Sequence, residues 1–133
     1  MIEEIIDNFN NAKLQKDPFH HKHIINIFPK DYYTELLENL PDISEYTPIN
    51  KTGAVSKDYS SERFVFDLTN ENISKLKSKN RDILNKLVGV FTNPNFFNSI
   101  CSEFKETIND RIKNFNQYEK ENFGTNNFQF SGH

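Results

Sequence analysis

The sequence has few of the features that mark secreted or membrane proteins. Cys101 is the only cysteine, so an internal disulfide is excluded and a reducing compartment is favoured. The apolar runs span only a few residues, far short of the roughly 20 that a membrane helix requires. The first residues, MIEEIIDNF, are acidic and differ from the basic start of a signal peptide. These absences predict a cytoplasmic protein with no membrane partner.

Motifs for phosphate and nucleic-acid binding are also missing. The 16 basic and 19 acidic residues are interspersed, with a net charge of −3, so no basic stripe marks a nucleic-acid surface. The four glycines are isolated, which excludes a Gly-rich phosphate loop, and no serine lies in a nucleophile-elbow pattern. We expect no nucleic-acid partner, and nothing in the sequence indicates an oligomeric state.

Large aromatic side chains compensate for the low apolar content. The chain has 13 Phe and 5 Tyr among 133 residues. Fully burying one such side chain contributes about 1.5–3 kcal/mol, so a modest number of aromatics is enough for a core. A chain of this length forms one domain of ordinary size. We therefore expect residues 1–133 to fold as a single domain.

The spacing of apolar residues predicts a mostly helical α+β fold with two to three short strands. Thr69 is expected to cap one helix, and Asn93 with Pro94 to open another. Residues 42–61 lack periodicity and are expected to form a long loop. Helices are predicted at 2–14, between Pro29 and Pro41, at 69–76, at 80–91 and at 94–115, and strands at 19–28, at 63–68 and, just beginning, around Phe128 and Phe130.

A histidine cluster is the first candidate for chemistry. On a strand, His21 and His23 would share one face with Cα atoms about 6.6 Å apart, while His20 would point to the other face. Two imidazoles at that spacing can share a zinc or iron ion. A metal site needs a third and usually a fourth ligand, and no further Cys, His or pair of carboxylates lies nearby at a spacing typical of metal ligands. The competing interpretation is an exposed histidine cluster with no metal.

The remaining polar candidates have ordinary structural interpretations. Cys101 lies on the apolar stripe of the helix at 94–115, which favours a core position over a reactive thiol. Arg63, Arg81 and Arg111 stand out because arginine is scarce, and surface ion pairs are expected for all three. None of these residues forms a catalytic constellation.

Several segments resemble the opening of iron(II)/2-oxoglutarate oxygenases of the prolyl 4-hydroxylase-like group, in their bacterial and phage forms. The segment 18–29, PFHHKHIINIFP, is similar to the strand that opens those enzymes, and 31–41, DYYTELLENLP, is similar to the helix that follows. The aromatic run at 63–68 and the step FTNPNF at 91–96 are similar as well. The resemblance covers residues 17–115 and rests on apolar and turn residues.

The resemblance implies the N-terminal support of a double-stranded β-helix oxygenase, with Fe(II) and 2-oxoglutarate as cofactors of the full-length family. In that family two histidines and a carboxylate hold the iron. The chain has no His-x-Asp or His-x-Glu pair, so we assign no catalytic or cofactor-binding residue, and only His21 and His23 remain as metal candidates. Residues 1–16 are then an N-terminal helix, 17–115 the oxygenase-like region and 116–133 a tail.

Two functions therefore stay open. The first is an N-terminal fragment of such a hydroxylase, inactive alone, whose partner is a missing C-terminal β-helix domain. It predicts exposed apolar surface on the helix at 94–115 and around Phe128 and Phe130. The second is a small non-enzymatic α+β binding or adaptor protein, which predicts a closed core without a large apolar patch.

Overall fold

The structure, a computed structural model, describes residues 1–115, 117, 118 and 121. These residues form six α-helices and one two-stranded antiparallel sheet, which agrees with the mostly helical α+β class expected. In the sheet, Thr47 lies opposite Val65 and Pro48 opposite Phe64. The elements are α1 (Ile2–Asn11), α2 (Lys30–Glu38), β1 (Thr47–Pro48), β2 (Phe64–Val65), α3 (Asn70–Ser74), α4 (Ser78–Phe91), α5 (Pro94–Glu103) and α6 (Lys105–Lys113), with 3₁₀ turns at Ile43–Glu45 and Ile49–Lys51.

The chain is organised in two compact units. Of the described residues, 1–30 and 90–115 belong to the first unit and 31–89 form the second. The first unit therefore holds α1, α5 and α6. The second holds α2, the sheet, α3 and most of α4.

The core of the first unit is built on aromatic rings. Ile5 and Phe9, one helical turn apart on α1, are buried together with Val90 and with Phe96 of α5. The Phe9 ring meets the Phe96 ring edge-on, with centroids 5.7 Å apart, a geometry that aromatic pairs favour. The spacing of Ile2, Ile5, Ile6 and Phe9 predicts one apolar face on this helix. The burial of Ile5 and Phe9 confirms it, although the helix ends at Asn11 rather than at residue 14.

Helix α5 begins as the sequence predicts. The Asn93 Oδ1 accepts hydrogen bonds from the backbone N–H groups of Asn95 at 2.9 Å and Phe96 at 3.1 Å, and Pro94 is the first helical residue. An N-cap side chain of this kind satisfies donors that have no partner within the helix.

The single helix expected at 94–115 is wrong, because the helix is interrupted at Phe104. This residue has φ −101° and ψ 18° and separates α5 from α6. Its N–H still donates to the Ile100 carbonyl, and its carbonyl accepts from the Ile108 N–H, so the interruption is one residue long. The ring of Phe104 packs near Phe9, with centroids 6.5 Å apart, which is a tertiary contact that the helical periodicity does not contain.

The strand expected at 19–28 is also wrong. The segment is irregular, and its backbone pairing is an isolated bridge between Gln15 and His21. Asn26 has φ 60°, a left-handed conformation that Asn tolerates and a strand does not use. The Asn8 amide of α1 donates to the Asn26 and Ile27 carbonyls, so α1 provides the hydrogen bonds that a neighbouring strand would have provided.

In the second unit, hydrogen bonds join α2 and the turn after it to α4. The Asn80 amide of α4 donates to the carbonyls of Asn39 at 2.7 Å and Leu40 at 3.3 Å, which satisfies acceptors at the C-terminal end of α2. The buried residues of this unit are Tyr32, Leu36, Asn39, Pro41, Ile73, Leu76, Ile83 and Leu84.

The remaining predictions for this unit are met in part. The Thr69 hydroxyl accepts from the Asn72 N–H and caps α3, as expected. The strand at 63–68 is confirmed but is only two residues long. Its partner β1 lies inside the predicted loop 42–61, where no alternation indicates a strand. The third strand expected around Phe128 and Phe130 lies outside the described residues.

Candidate functional site

The three histidines lie on the irregular segment before α2, so the strand geometry that would place His21 and His23 on one face does not apply. The His21 backbone pairs with Gln15, and its Nδ1 lies 2.7 Å from the Phe19 carbonyl oxygen. The His20 Nδ1 lies 3.0 Å from the Thr107 hydroxyl. His23 is exposed. Among residues 1–115, 117, 118 and 121, no three His, Cys, Asp or Glu side chains come together as a metal site.

Lys22, between these histidines, is the most constrained charged residue of the first unit. Its side chain is 2 % exposed, and its Nζ donates to the Phe9 carbonyl at 2.8 Å. The Nζ also lies 3.2 Å from the Glu103 Oε1 and 4.4 Å from the centroid of the Phe9 ring. The ammonium group therefore donates to a carbonyl in the last turn of α1 and joins that turn to Glu103 of α5. The residues next to Lys22 in sequence carry no pattern that signals a buried lysine, so this position is not predictable from the sequence.

The surroundings of Cys101, Arg63 and Arg111 are those of residues that stabilise the fold. Cys101 is half-buried, and burial raises the pKa of its thiol, which disfavours the reactive thiolate. The Arg63 guanidinium lies 5.6 Å from the centroid of the Tyr59 ring, and that of Arg111 lies 5.0 Å from the Phe115 ring. Stacking of this kind is a normal surface role for arginine. The ion pairs of the described residues include neither Arg63 nor Arg81, so the ion pairs expected for these two are not formed.

A shallow cavity of about 150 Å³ lies beside the small sheet of the second unit. Its charged lining residues are Glu45, Asp67 and Lys75. The Lys75 Nζ is already 3.2 Å from the Glu71 carboxylate. The cavity is small and open and has mixed charge, so it does not define a ligand.

An exposed apolar face on α2 is the most distinctive surface of the described residues. The sequence predicts one apolar stripe of Tyr33, Leu36, Leu37 and Leu40, typical of a helix packed on a core. Leu36 is buried at 7 % exposure, whereas Tyr33 is 50 %, Leu37 52 % and Leu40 43 % exposed. Ile43, in the following 3₁₀ turn, is 66 % exposed. We call Tyr33, Leu37, Leu40 and Ile43 the α2 face.

The segment that carries the α2 face is acidic in sequence. Residues 31–50 contain no lysine, arginine or histidine, although Lys30 precedes this segment and Lys51 follows it. None of its carboxylates takes part in the ion pairs of the described residues, which involve Glu3, Glu71 and Glu103. This run of charge is visible in the sequence and could have indicated a surface instead of a core. The acidic residues of the segment are Asp31, Glu35, Glu38, Asp42 and Glu45.

Two general observations bear on the site. Of the helices in the described part of the chain, none has the length and apolar character needed to cross a membrane. Comparison of the chain with known protein families, with curated proteins and with solved structures finds no match.

Proposed function

We propose that the chain is the N-terminal supporting region of an iron(II)/2-oxoglutarate-dependent oxygenase of the prolyl 4-hydroxylase-like group. The observation that carries the proposal is the resemblance of residues 18–41, in which Pro29 and Pro41 bracket α2. The similar run at 63–68 contains β2, and the similar step at 91–96 contains the junction between α4 and α5. The helix after Pro29, the strand within 63–68 and the helix junction at 91–96 support the proposal, whereas the segment 18–29, which the resemblance implies to be a strand, is irregular.

In this proposal, none of the described residues is a ligand of the iron. The facial triad of such an enzyme consists of two histidines and a carboxylate, and the cluster of His20, His21 and His23 has no convergent acidic partner within the described residues. The role that we propose is to support a C-terminal β-helix domain that would hold Fe(II) and 2-oxoglutarate. Among the described residues, α5 and α6 carry no exposed large apolar side chain, so the exposed apolar surface expected there is not found. The half-buried side chains that would pack on that domain are Phe97, Ile108 and Ile112, since Ile100 packs on the first-unit core.

The test begins with the genomic reading frame that contains this chain. The proposal expects the frame to continue beyond codon 133 into a sequence with a His-x-Asp or His-x-Glu pair and a more distal histidine. A stop codon directly after codon 133, or a continuation without these residues, contradicts it. The extended protein, purified, loaded with Fe(II) and supplied with O2, should convert 2-oxoglutarate to succinate and CO2. The matched control is the same protein with the downstream His-x-Asp histidine changed to alanine.

A second candidate is a small non-enzymatic α+β binding or adaptor protein. This candidate was expected to lack a large apolar patch, whereas Tyr33, Leu37, Leu40 and Ile43 are exposed. As an adaptor, the chain would use the α2 face to bind its partner. Size-exclusion chromatography with light scattering on the 133-residue chain distinguishes the two proposals. An adaptor is expected to elute as a folded, monodisperse species, whereas a support that lacks its β-helix domain is expected to expose apolar surface and aggregate.

A further inference from the structure

We propose that the interruption at Phe104 is a conformational switch. Residues 94–113 form two helices while α1 and residues 20–22 are packed on them, and one continuous helix when these contacts are released. The inference goes beyond the oxygenase proposal and does not depend on it, since neither Fe(II) nor 2-oxoglutarate enters its test. It combines three observations on the first unit: the sequence around the interruption, the contacts made there and the hydrogen bonds that cross it.

The first observation is that the neighbouring sequence gives no cause for the interruption. Sharp breaks in helices almost always occur at proline, at Gly/Ser pairs, at π-bulges or where another group inserts. Residues 95–113 contain neither proline nor glycine. The ψ angle of Phe104 is nevertheless 18°, about 60° from the helical value. In a continuous helix, Ile100, Phe104 and Ile108 would lie within about 80° of one another, so the apolar stripe is compatible with one helix.

The second observation is that separate anchors hold the two sides of the interruption. On the α5 side, the Glu103 Oε1 lies 3.2 Å from the Lys22 Nζ, which also donates to the Phe9 carbonyl in the last turn of α1. On the α6 side, the Thr107 hydroxyl lies 3.0 Å from the His20 Nδ1. The end of α5 is therefore joined to α1, whereas the first turn of α6 is joined to the irregular segment after it.

The residue at the interruption belongs to the same set of contacts. The Phe104 ring lies 6.5 Å from the Phe9 ring, centroid to centroid, and packs against the buried cluster that contains Phe9. We call Phe9, His20 and Lys22 the clamp. Since the sequence gives no local cause, these contacts from distant residues are the reason why the helix divides at Phe104.

The third observation is that little has to change for the helix to close. The Phe104 N–H donates to the Ile100 carbonyl at 3.1 Å, and the Phe104 carbonyl accepts from the Ile108 N–H at 2.9 Å. Both bonds have the i to i−4 spacing of an α-helix. Closing the helix therefore changes the dihedral angles of one residue and keeps both bonds. The direction of α6, and of the chain that follows it, then depends on whether α1 is in place.

Nuclear magnetic resonance on the 133-residue chain tests the switch. Carbon-13 relaxation dispersion and saturation transfer at the Cα atoms of residues 103–107 detect a minor form that exchanges with the main one. The minor form should have the helical Cα shift at Phe104. Absence of exchange at these residues, in the parent chain and in the clamp variant described next, overturns the proposal. Minor-form shifts of unfolded chain also overturn it, because they indicate fraying of α6.

A pair of double variants tests the clamp. His20→Ala/Lys22→Met removes both of its polar contacts. His23→Ala/Lys13→Met is the matched control, because it makes the same two changes at exposed positions of the same unit. The first variant should raise the ratio of continuous to divided helix by about three- to tenfold, the effect of one or two hydrogen bonds. The control should leave the ratio unchanged. Equal ratios in the two double variants overturn the role of the clamp.

A further variant changes the opposite side of the same contacts. Glu103→Gln/Thr107→Val weakens them while α1 and residues 20–22 keep their sequence, and each new side chain resembles the old one in shape and helix propensity. It should raise the ratio of continuous to divided helix in the same direction. If His20→Ala/Lys22→Met has lost helical signal at 222 nm, Glu103→Gln/Thr107→Val decides the test. A ratio that stays at the parent value in this variant overturns the proposal.

Discussion

Replacing Lys22 with methionine tests the most constrained contact of the first unit. The substitution Lys22→Met keeps the length and the apolar part of the side chain but removes the ammonium group. The Phe9 carbonyl, 2.8 Å from Nζ, then loses its donor, and the Glu103 carboxylate, 3.2 Å from Nζ, loses its ion partner. The perturbation therefore isolates the charge from the packing of the stem.

The size of the effect follows from these contacts. A hydrogen bond from a charged donor contributes about 1.5–3 kcal/mol, and a cation at a helix C-terminus about 0.3–1 kcal/mol. The Glu103 side chain is 32 % exposed, so water partly replaces the lost ion partner. Removing a buried charge also recovers desolvation free energy. We expect Lys22→Met to lower the free energy of unfolding by about 2 kcal/mol.

Urea unfolding, followed by circular dichroism at 222 nm, measures this loss. With a urea dependence of about 2 kcal/mol per molar, the midpoint should fall by about 1 M. Lys13→Met is the matched control, because Lys13 is an exposed lysine of the same unit, and its change should stay within about 0.5 kcal/mol. Glu103→Gln should cost less than Lys22→Met, since the bond to the Phe9 carbonyl remains. A midpoint for Lys22→Met at or above that of Lys13→Met would refute the reasoning.

Three further predictions concern single groups. Asn93→Ala should lower the free energy of unfolding by about 1 kcal/mol through loss of the N-cap, measured in urea, whereas an equal loss for the exposed Asn98→Ala would contradict the cap. Burial, and then the nearby charge of Glu35, raises the pKa of Tyr32. The protonated Tyr32 hydroxyl contributes its full stability below the ordinary tyrosine pKa, and this contribution is lost as the pH rises through the raised pKa of the folded chain. Between pH 8 and 11, Tyr32→Phe should therefore lose less stability than the parent chain. Equal losses in the two proteins would contradict this. Because burial raises the pKa of the Cys101 thiol, iodoacetamide at pH 8 should alkylate it at least about tenfold more slowly in the folded chain than in urea, and equal rates would contradict it.

The elements that the sequence predicts correctly are those controlled by neighbouring residues. Thr69 and Asn93 cap α3 and α5 because the side-chain oxygen and the amides that it accepts from are two or three residues apart. Pro94 fits the first helical position for an equally local reason. The apolar spacing of Ile5 and Phe9 predicts the buried side of α1, because one helical period determines that side.

The errors occur where distant residues decide the conformation. The isoleucine-rich run before α2 predicts a strand, yet the Asn8 side chain, 18 and 19 residues away in sequence, takes the Asn26 and Ile27 carbonyls. The helix that should continue through Phe104 is interrupted, and that ring packs near Phe9 of α1. Neither partner lies within the window in which periodicity is read, so no local pattern could have indicated them.

The candidate surface follows the same division. The sequence predicts the apolar stripe of α2. It does not show how much of that stripe the rest of the unit covers, because the burial of α2 depends on residues that are distant in sequence. Leu36 packs in the core while Leu37, the next residue, is 52 % exposed. The acidic composition of residues 31–50 was the available signal that part of this stripe faces solvent.

The position of Lys22 also has a consequence for limited proteolysis. Trypsin must draw a lysine side chain into its own specificity pocket before it cuts, and the Lys22 ammonium is held by α1 and α5. Lys13 and Lys16 are exposed on the same stretch of chain and should be cut first. Cleavage after Lys22 would therefore require the separation of α1 from α5. The cleavage rate would then measure how readily the first unit opens.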